Sequence, residues 1–174
     1  MVVRLGAAIC VAAMMLGCPW SAFADSAFML REITGEARTT PNAAERGVPV
    51  TGVASTYNPF RPGWREGGKN TASGELYDST AWTAAIKTSL RDKFGGVHYG
   101  KDYRPVYALV ESADKQVIVK INDVGPLTPG RVIDLNERTM RYFDPTLERG
   151  LIRSVKVTPL LGTYWTPGPI RSVG

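Results

Sequence analysis

Alternating and short apolar runs divide the chain into strand-length pieces. Residues 50–57 read as a first strand, and 82–86 is a compact apolar run of the same kind. Residues 105–111 and 116–122 flank Ser112-Ala113-Asp114-Lys115, a four-residue hairpin connection. Residues 131–135 form a further short strand. The stretch 151–160 closes the series with Ile152, Val155 and Val157 among polar neighbours. Between strands, Asn136 is placed to cap a brief helix over 137–143, with Met140 and Phe143 on one face and Asp144-Pro145 as its stop. Pro59, Pro62, Gly63, Gly67 and Gly68 make 58–74 an exposed loop, and 87–100 is a polar, glycine-interrupted loop with a helical turn in it. Six or so strands, one or two short helices and glycine-rich connections predict a mainly β protein, a small barrel.

The chain's 174 residues suit one ordinary domain. The pattern assigns 1–24 to an export signal, 25–50 to a spacer, 51–161 to the domain and 162–174 to a loose, Pro/Gly-rich tail. The signal reading rests on Arg4, the apolar run 5–16 and Ala22-Phe23-Ala24, whose small residues fit cleavage after Ala24. Met15-Leu16-Gly17-Cys18 offers a competing lipid-anchor reading, with Met in place of the usual Leu three positions before the cysteine. Cys10 and Cys18 are the only cysteines, so a chain matured at Asp25 carries no disulfide, thiolate metal site or cysteine nucleophile. The apolar run is shorter than a stable transmembrane segment requires. A periplasmic or secreted protein is expected.

A net charge of +5 favours an anionic partner. The basic residues are scattered, and export removes the protein from cytoplasmic nucleic acid, so no nucleic-acid partner is expected. No His, Asp and Glu cluster has metal-ligand spacing, and no cofactor or metal is expected. A monomer is expected.

Among carboxylates, Asp123 stands out. Period two places it in phase with Val117, Val119 and Ile121, at the rim of an apolar interior where desolvation raises a carboxyl pKa toward that of a general acid. An Asx-turn before Gly125-Pro126 accounts for it equally well. Glu75 follows the turn-forming run 70–74, a position where a merely solvated Glu is also common. Asp134 reads as structural, bonding the turn into the next helix. His98 lies in a Gly/Tyr loop and reads as a surface residue. Trp64, Trp82, Tyr57 and Tyr77 suit either a sugar-stacking groove or a core.

Four segments in order resemble the rare lipoprotein A family: Gly52-Val53-Ala54-Ser55-Thr56-Tyr57, Thr71-Ala72-Ser73-Gly74-Glu75-Leu76-Tyr77-Asp78, Trp82-Thr83-Ala84-Ala85 and Val119-Lys120-Ile121-Asn122-Asp123-Val124-Gly125-Pro126. Arg131-Val132-Ile133-Asp134-Leu135 follows in its expected place. The resemblance implies a six-stranded double-psi β-barrel and a lytic transglycosylase acting on peptidoglycan glycan strands, with a preference for strands stripped of peptides. It assigns Asp123 and Glu75 as the acid/base carboxylates. Tyr57, Tyr77 and Asn122 are the substrate-binding candidates. One position departs from the family motif. It continues Thr-Ala-Ala-His, with the His in the active site, whereas this chain has Ile86, which neither donates nor accepts a hydrogen bond. With 82–86 feeding the same rim as Asp123, an imidazole at 86 is expected to reach a catalytic carboxylate; the alternative is that Ile86 is a core residue, where a buried His costs stability and gains nothing. Loss of turnover with retention of the groove would leave a binding module.

Overall fold

The computed structural model describes residues 40–62, 68–95, 104–125 and 128–170. The export signal, both cysteines, Trp64 and His98 lie outside them. Seven strands form one sheet: β1 (Val50–Tyr57), β2 (Thr83–Ile86), β3 (Val106–Ser112), β4 (Lys115–Val124), β5 (Arg131–Asn136), β6 (Leu151–Leu160) and β7 (Gly168–Pro169). Their order is β2-β5-β1-β6-β3-β4-β7, and β2 also pairs with β4, which closes the first six into a barrel. β1 runs parallel to β5 and β2 parallel to β4, while the remaining neighbours are antiparallel. This closed, mixed barrel is the double-psi architecture that the resemblance implies.

Alternation builds the interior. Ala54, Ala84, Ile86, Val117, Val119, Ile121, Ile133, Leu135, Val155 and Val157 are buried in one cluster with Met140. Fully burying each large aliphatic side chain contributes about 1.5–3 kcal/mol, which makes this inward face the main source of register. Gly52 serves close packing, because a Cβ there would meet Val132 Cγ1 at 2.5 Å. Helix α1 (Glu137–Phe143) starts at Asn136, whose side chain accepts from Arg138 N, and ends at Asp144. Met140 is buried in the barrel core and Phe143 packs against it, as their shared face predicts.

The sequence reading misses three details. The β3–β4 connection is shorter than expected, with only Ala113 and Asp114 between the strands and Ala113 left-handed at φ 51°. The spacer joins the barrel before its expected end: Arg46 bridges to Leu160, and Gly47 N donates to Pro159 O at 2.8 Å. The tail expected to be loose returns as β7 against Val117 and Ile118, and it buries Ile170 on Leu109, Ile118 and Leu160. Those three residues face outward on their strands, so without the tail they would lie open to water.

Candidate active site

The site lies on the outer face of the barrel wall, where β1, β2, β4 and β5 run side by side. Ser55 pairs with Asp134, and Ala85 pairs with Asp134 on one side and Asp123 on the other. Asp123 reaches this face through a bulge. Ala84 pairs with Ile121 and Ala85 with Asp123, so Asn122 is an extra residue in β4. The bulge reverses the expected phase: Ile121 faces the core beside Ala84, whereas Asp123 shares the opposite face with Ala85. Alternation alone could not show this, because one inserted residue inverts every later side chain.

The segment 68–82 covers the face. A tight turn forms where Thr71 N donates to Glu75 O and Gly74 N to Thr71 O, each at 2.8 Å. Gly74 takes the left-handed conformation at φ 88° that this turn requires. The turn aims Ala72 N at Asp123 Oδ1, 2.9 Å away, and Ser73 N at Asn122 O, 3.0 Å away. Val124 N also donates to Asp123 Oδ1 at 2.9 Å. Burial pushes the Asp123 carboxyl above its ordinary value, and these two N–H bonds counter it only in part.

Glu75 is driven the other way. Burial raises it, but Lys120 Nζ at 2.5 Å and Asn122 Nδ2 at 3.0 Å outweigh that effect and hold the carboxyl below its usual range. The two carboxyls are thus pushed in opposite directions, Asp123 up by burial and Glu75 down by its donors. Glu75 lines a cleft of about 290 Å³ with Leu76, Trp82, Lys120, Asn122 and Pro167. A larger groove of about 1100 Å³, around Lys115, Arg131 and Arg153, contains neither carboxylate.

Tyr57 and Tyr77 meet edge to face at 5.1 Å and are buried with Ala85, so neither ring offers an open stacking surface. The Tyr77 hydroxyl donates to Tyr57 O and accepts from Glu137 N. Burial pushes it up to about 12. The Tyr57 hydroxyl has no partner among the described residues. Asn122 is buried, with its amide on Glu75. Trp82 is half-buried under the Arg138 guanidinium, 4.6 Å from its ring.

Asp134 receives the Ser55 hydroxyl on the site face, and Asn136 caps the helix, its amide also fastening Asp78 O and Thr83 Oγ1. Ser55 went unnoticed as a site residue. The signal available was period two, since Ser55 and Tyr57 alternate with buried Ala54. Ile86 is a correction. It pairs with Val124 and Ile133 and is fully buried in the barrel core, on the face away from Asp123. Among the described residues, no group of three His, Cys, Asp or Glu could hold a metal ion.

A family model described as lytic transglycolase matches residues 50–157. The endolytic peptidoglycan transglycosylase RlpA of Pasteurella multocida is 34% identical over 119 residues, covering 67% of this chain and 32% of that one. The Yersinia pestis protein of the same name is 38% identical over 87 residues, 49% of this chain and 19% of its own. The Haemophilus influenzae protein is 34% identical over 122 residues, 68% and 36% respectively. The chain therefore spans little more than a third, at most, of these relatives.

Proposed function

The chain belongs to the lytic transglycosylase family of rare lipoprotein A-type double-psi β-barrels, and from that premise we propose that it cleaves peptidoglycan glycan strands with Asp123 as general acid and base. The observation that carries the reading is Asp123 half-buried beneath the segment that bears Glu75, with the two carboxyls tuned in opposite directions. Asp123, its carboxyl raised by burial, gives a proton to the glycosidic oxygen. As the bond from that oxygen to the anomeric carbon breaks, the muramic C6 hydroxyl closes on the carbon and forms a 1,6-anhydro end. The Asp123 carboxylate takes the hydroxyl proton back, so the step consumes no water. Glu75 stays ionised and assists as an anion, stabilising positive charge on the sugar ring.

Substrates stripped of peptide suit the site, since bare strands expose lactyl carboxylates and the chain is basic. The protein acts in the periplasm or outside the cell as a monomer, matured after Ala24. Among the described residues, no helix is long and apolar enough to cross a membrane.

A second reading, a binding module without turnover, is favoured by one observation. Where the family motif has its histidine, Ile86 is sealed in the core. Mass spectrometry of denuded peptidoglycan incubated with purified residues 25–174 separates the readings. Anhydro-muramic ends support the transglycosylase, and reducing ends indicate a hydrolase. Unchanged glycan that retains the protein indicates the binding module.

A further inference from the structure

Tyr57 is 8% exposed, and its hydroxyl makes no hydrogen bond among the described residues. Leaving a buried hydroxyl unpaired is destabilising, and phenylalanine would fill the same space without that cost. The ring rests on Ala85 and Tyr77. Ala85 in turn stands between Asp123 and Asp134 in the sheet. Asp134 already receives a donor from β1, the Ser55 hydroxyl. Asp123 accepts both of its N–H bonds on Oδ1, and Oδ2 accepts none among the described residues. An unused donor and an unused acceptor thus occupy the same patch of wall.

That arrangement has a direction. With two N–H groups on Oδ1, the proton of a neutral Asp123 belongs on Oδ2. Once the proton leaves, charge builds on Oδ2 in a partly buried place where it is poorly solvated. Burial first, then the nearby charges of Asp123, Tyr77 and Asp134, hold the Tyr57 phenol far above its ordinary value, so it remains a donor throughout the working range.

We propose that Tyr57 is a positioning residue whose hydroxyl donates to Asp123 Oδ2 as that carboxyl gives up its proton. Tyr57 transfers no proton itself. The Asp123 O–H bond breaks, its proton goes to the departing glycosidic oxygen, and the phenol supplies a hydrogen bond that exists only once the charge has formed. Such an interaction favours the transition state over the ground state. The inference rests on the acid/base reading of Asp123. Around Asp123 stand Tyr57 on β1, Asp134 on β5, Tyr77 and Glu75 in the covering segment and Lys120 on β4. Of these, Glu75 and Lys120 are ion-paired and Asp134 receives Ser55.

The test compares wild type and Tyr57→Phe by ¹³C carboxyl NMR titration of Asp123, with the melting temperature and pH–rate profile measured on the same samples. The expected result is an Asp123 midpoint about 1–2 pH units higher in Tyr57→Phe, as for loss of a hydrogen bond to a charged group. The matching limb of the rate profile moves with it, and kcat falls roughly 10- to 100-fold. Below the Asp123 midpoint, where the carboxyl is neutral, the melting temperature rises by roughly 2–8 °C as the unpaired hydroxyl disappears. An unmoved midpoint overturns the inference. So does a lower melting temperature below that midpoint, which would mean the hydroxyl is already bonded before the charge forms. A raised midpoint in a protein that leaves glycan uncut upholds the Tyr57–Asp123 link and sinks the transglycosylase reading instead.

Discussion

Asp123 lies on the opposite face of β4 from Ile121, two residues earlier, because the bulge at Asn122 sets the strand out of phase between them. An unbroken strand would have carried Asp123 into the barrel core, where a carboxylate without a partner is costly. With the bulge, the same residue sits under the covering segment, half-buried, and holds Ala72 N and Val124 N.

Replacing Asp123 with Asn should abolish cleavage while the fold survives. The amide oxygen can still accept from Ala72 and Val124, but the group delivers no proton, and a positioned acid is worth about 10²–10⁴-fold. A carboxyl raised by folding contributes stability below its unfolded pKa and loses it as pH climbs through the folded value. Asp123→Asn should therefore melt at or above wild type at neutral pH, with the difference fading in acid. Paired melts at low and neutral pH and an assay of anhydro ends check both halves.

Lys120→Met should separate acidity from stability. The Lys120–Glu75 pair is partly exposed, and pairs open to solvent contribute about 0–1 kcal/mol, less in salt. Melting should hardly move. Glu75, no longer held down, should titrate nearer its ordinary range. Because a lowered carboxyl contributes stability above its unfolded pKa and loses it as pH falls through the folded one, the variant should show a shallower loss of stability in acid. An acid titration of both proteins followed by circular dichroism reads this out.

Ile86→His should destabilise the protein by about 2–5 kcal/mol and gain no activity. Position 86 is fully buried among apolar side chains and faces away from Asp123, so the imidazole loses packing and finds no carboxylate. A folded Ile86→His protein with faster cleavage would show that the core rearranges to admit it. Chemical denaturation with a matched rate measurement decides the matter.

Gly74→Ala should lower activity more than stability. A side chain at φ 88° costs about 1–2 kcal/mol, and the strain falls on the turn that holds Ala72 N against Asp123. Hydrogen exchange at Ala72 should speed up while exchange across β3 and β4 stays unchanged.

Ile170→Ala should cost about 2–4 kcal/mol although it lies in a segment with the composition of a tail. It covers Leu109, Ile118 and Leu160. A denaturation midpoint equal to that of wild type would mean this contact adds nothing.

By itself, the chain's pattern determined the six barrel strands, the Asn136-capped helix and the inward phase of residues such as Val117, Val119, Val155 and Val157, because burial of one face repeats every second residue wherever a strand is regular. The ordered motifs determined which carboxylates to watch. What alternation cannot carry is an inserted residue, and only the tertiary structure showed that Asn122 is one, turning Asp123 from the core face to the wall. Asp134 and Ser55 likewise became neighbours only through the parallel pairing of β1 with β5, strands separated by most of the barrel's sequence. The fate of Ile86 was decided the same way. Its residue type forbade proton chemistry from the outset, but which face it occupied depended on the partners β2 found on both sides, Val124 and Ile133, and those are long-range contacts that no local pattern encodes.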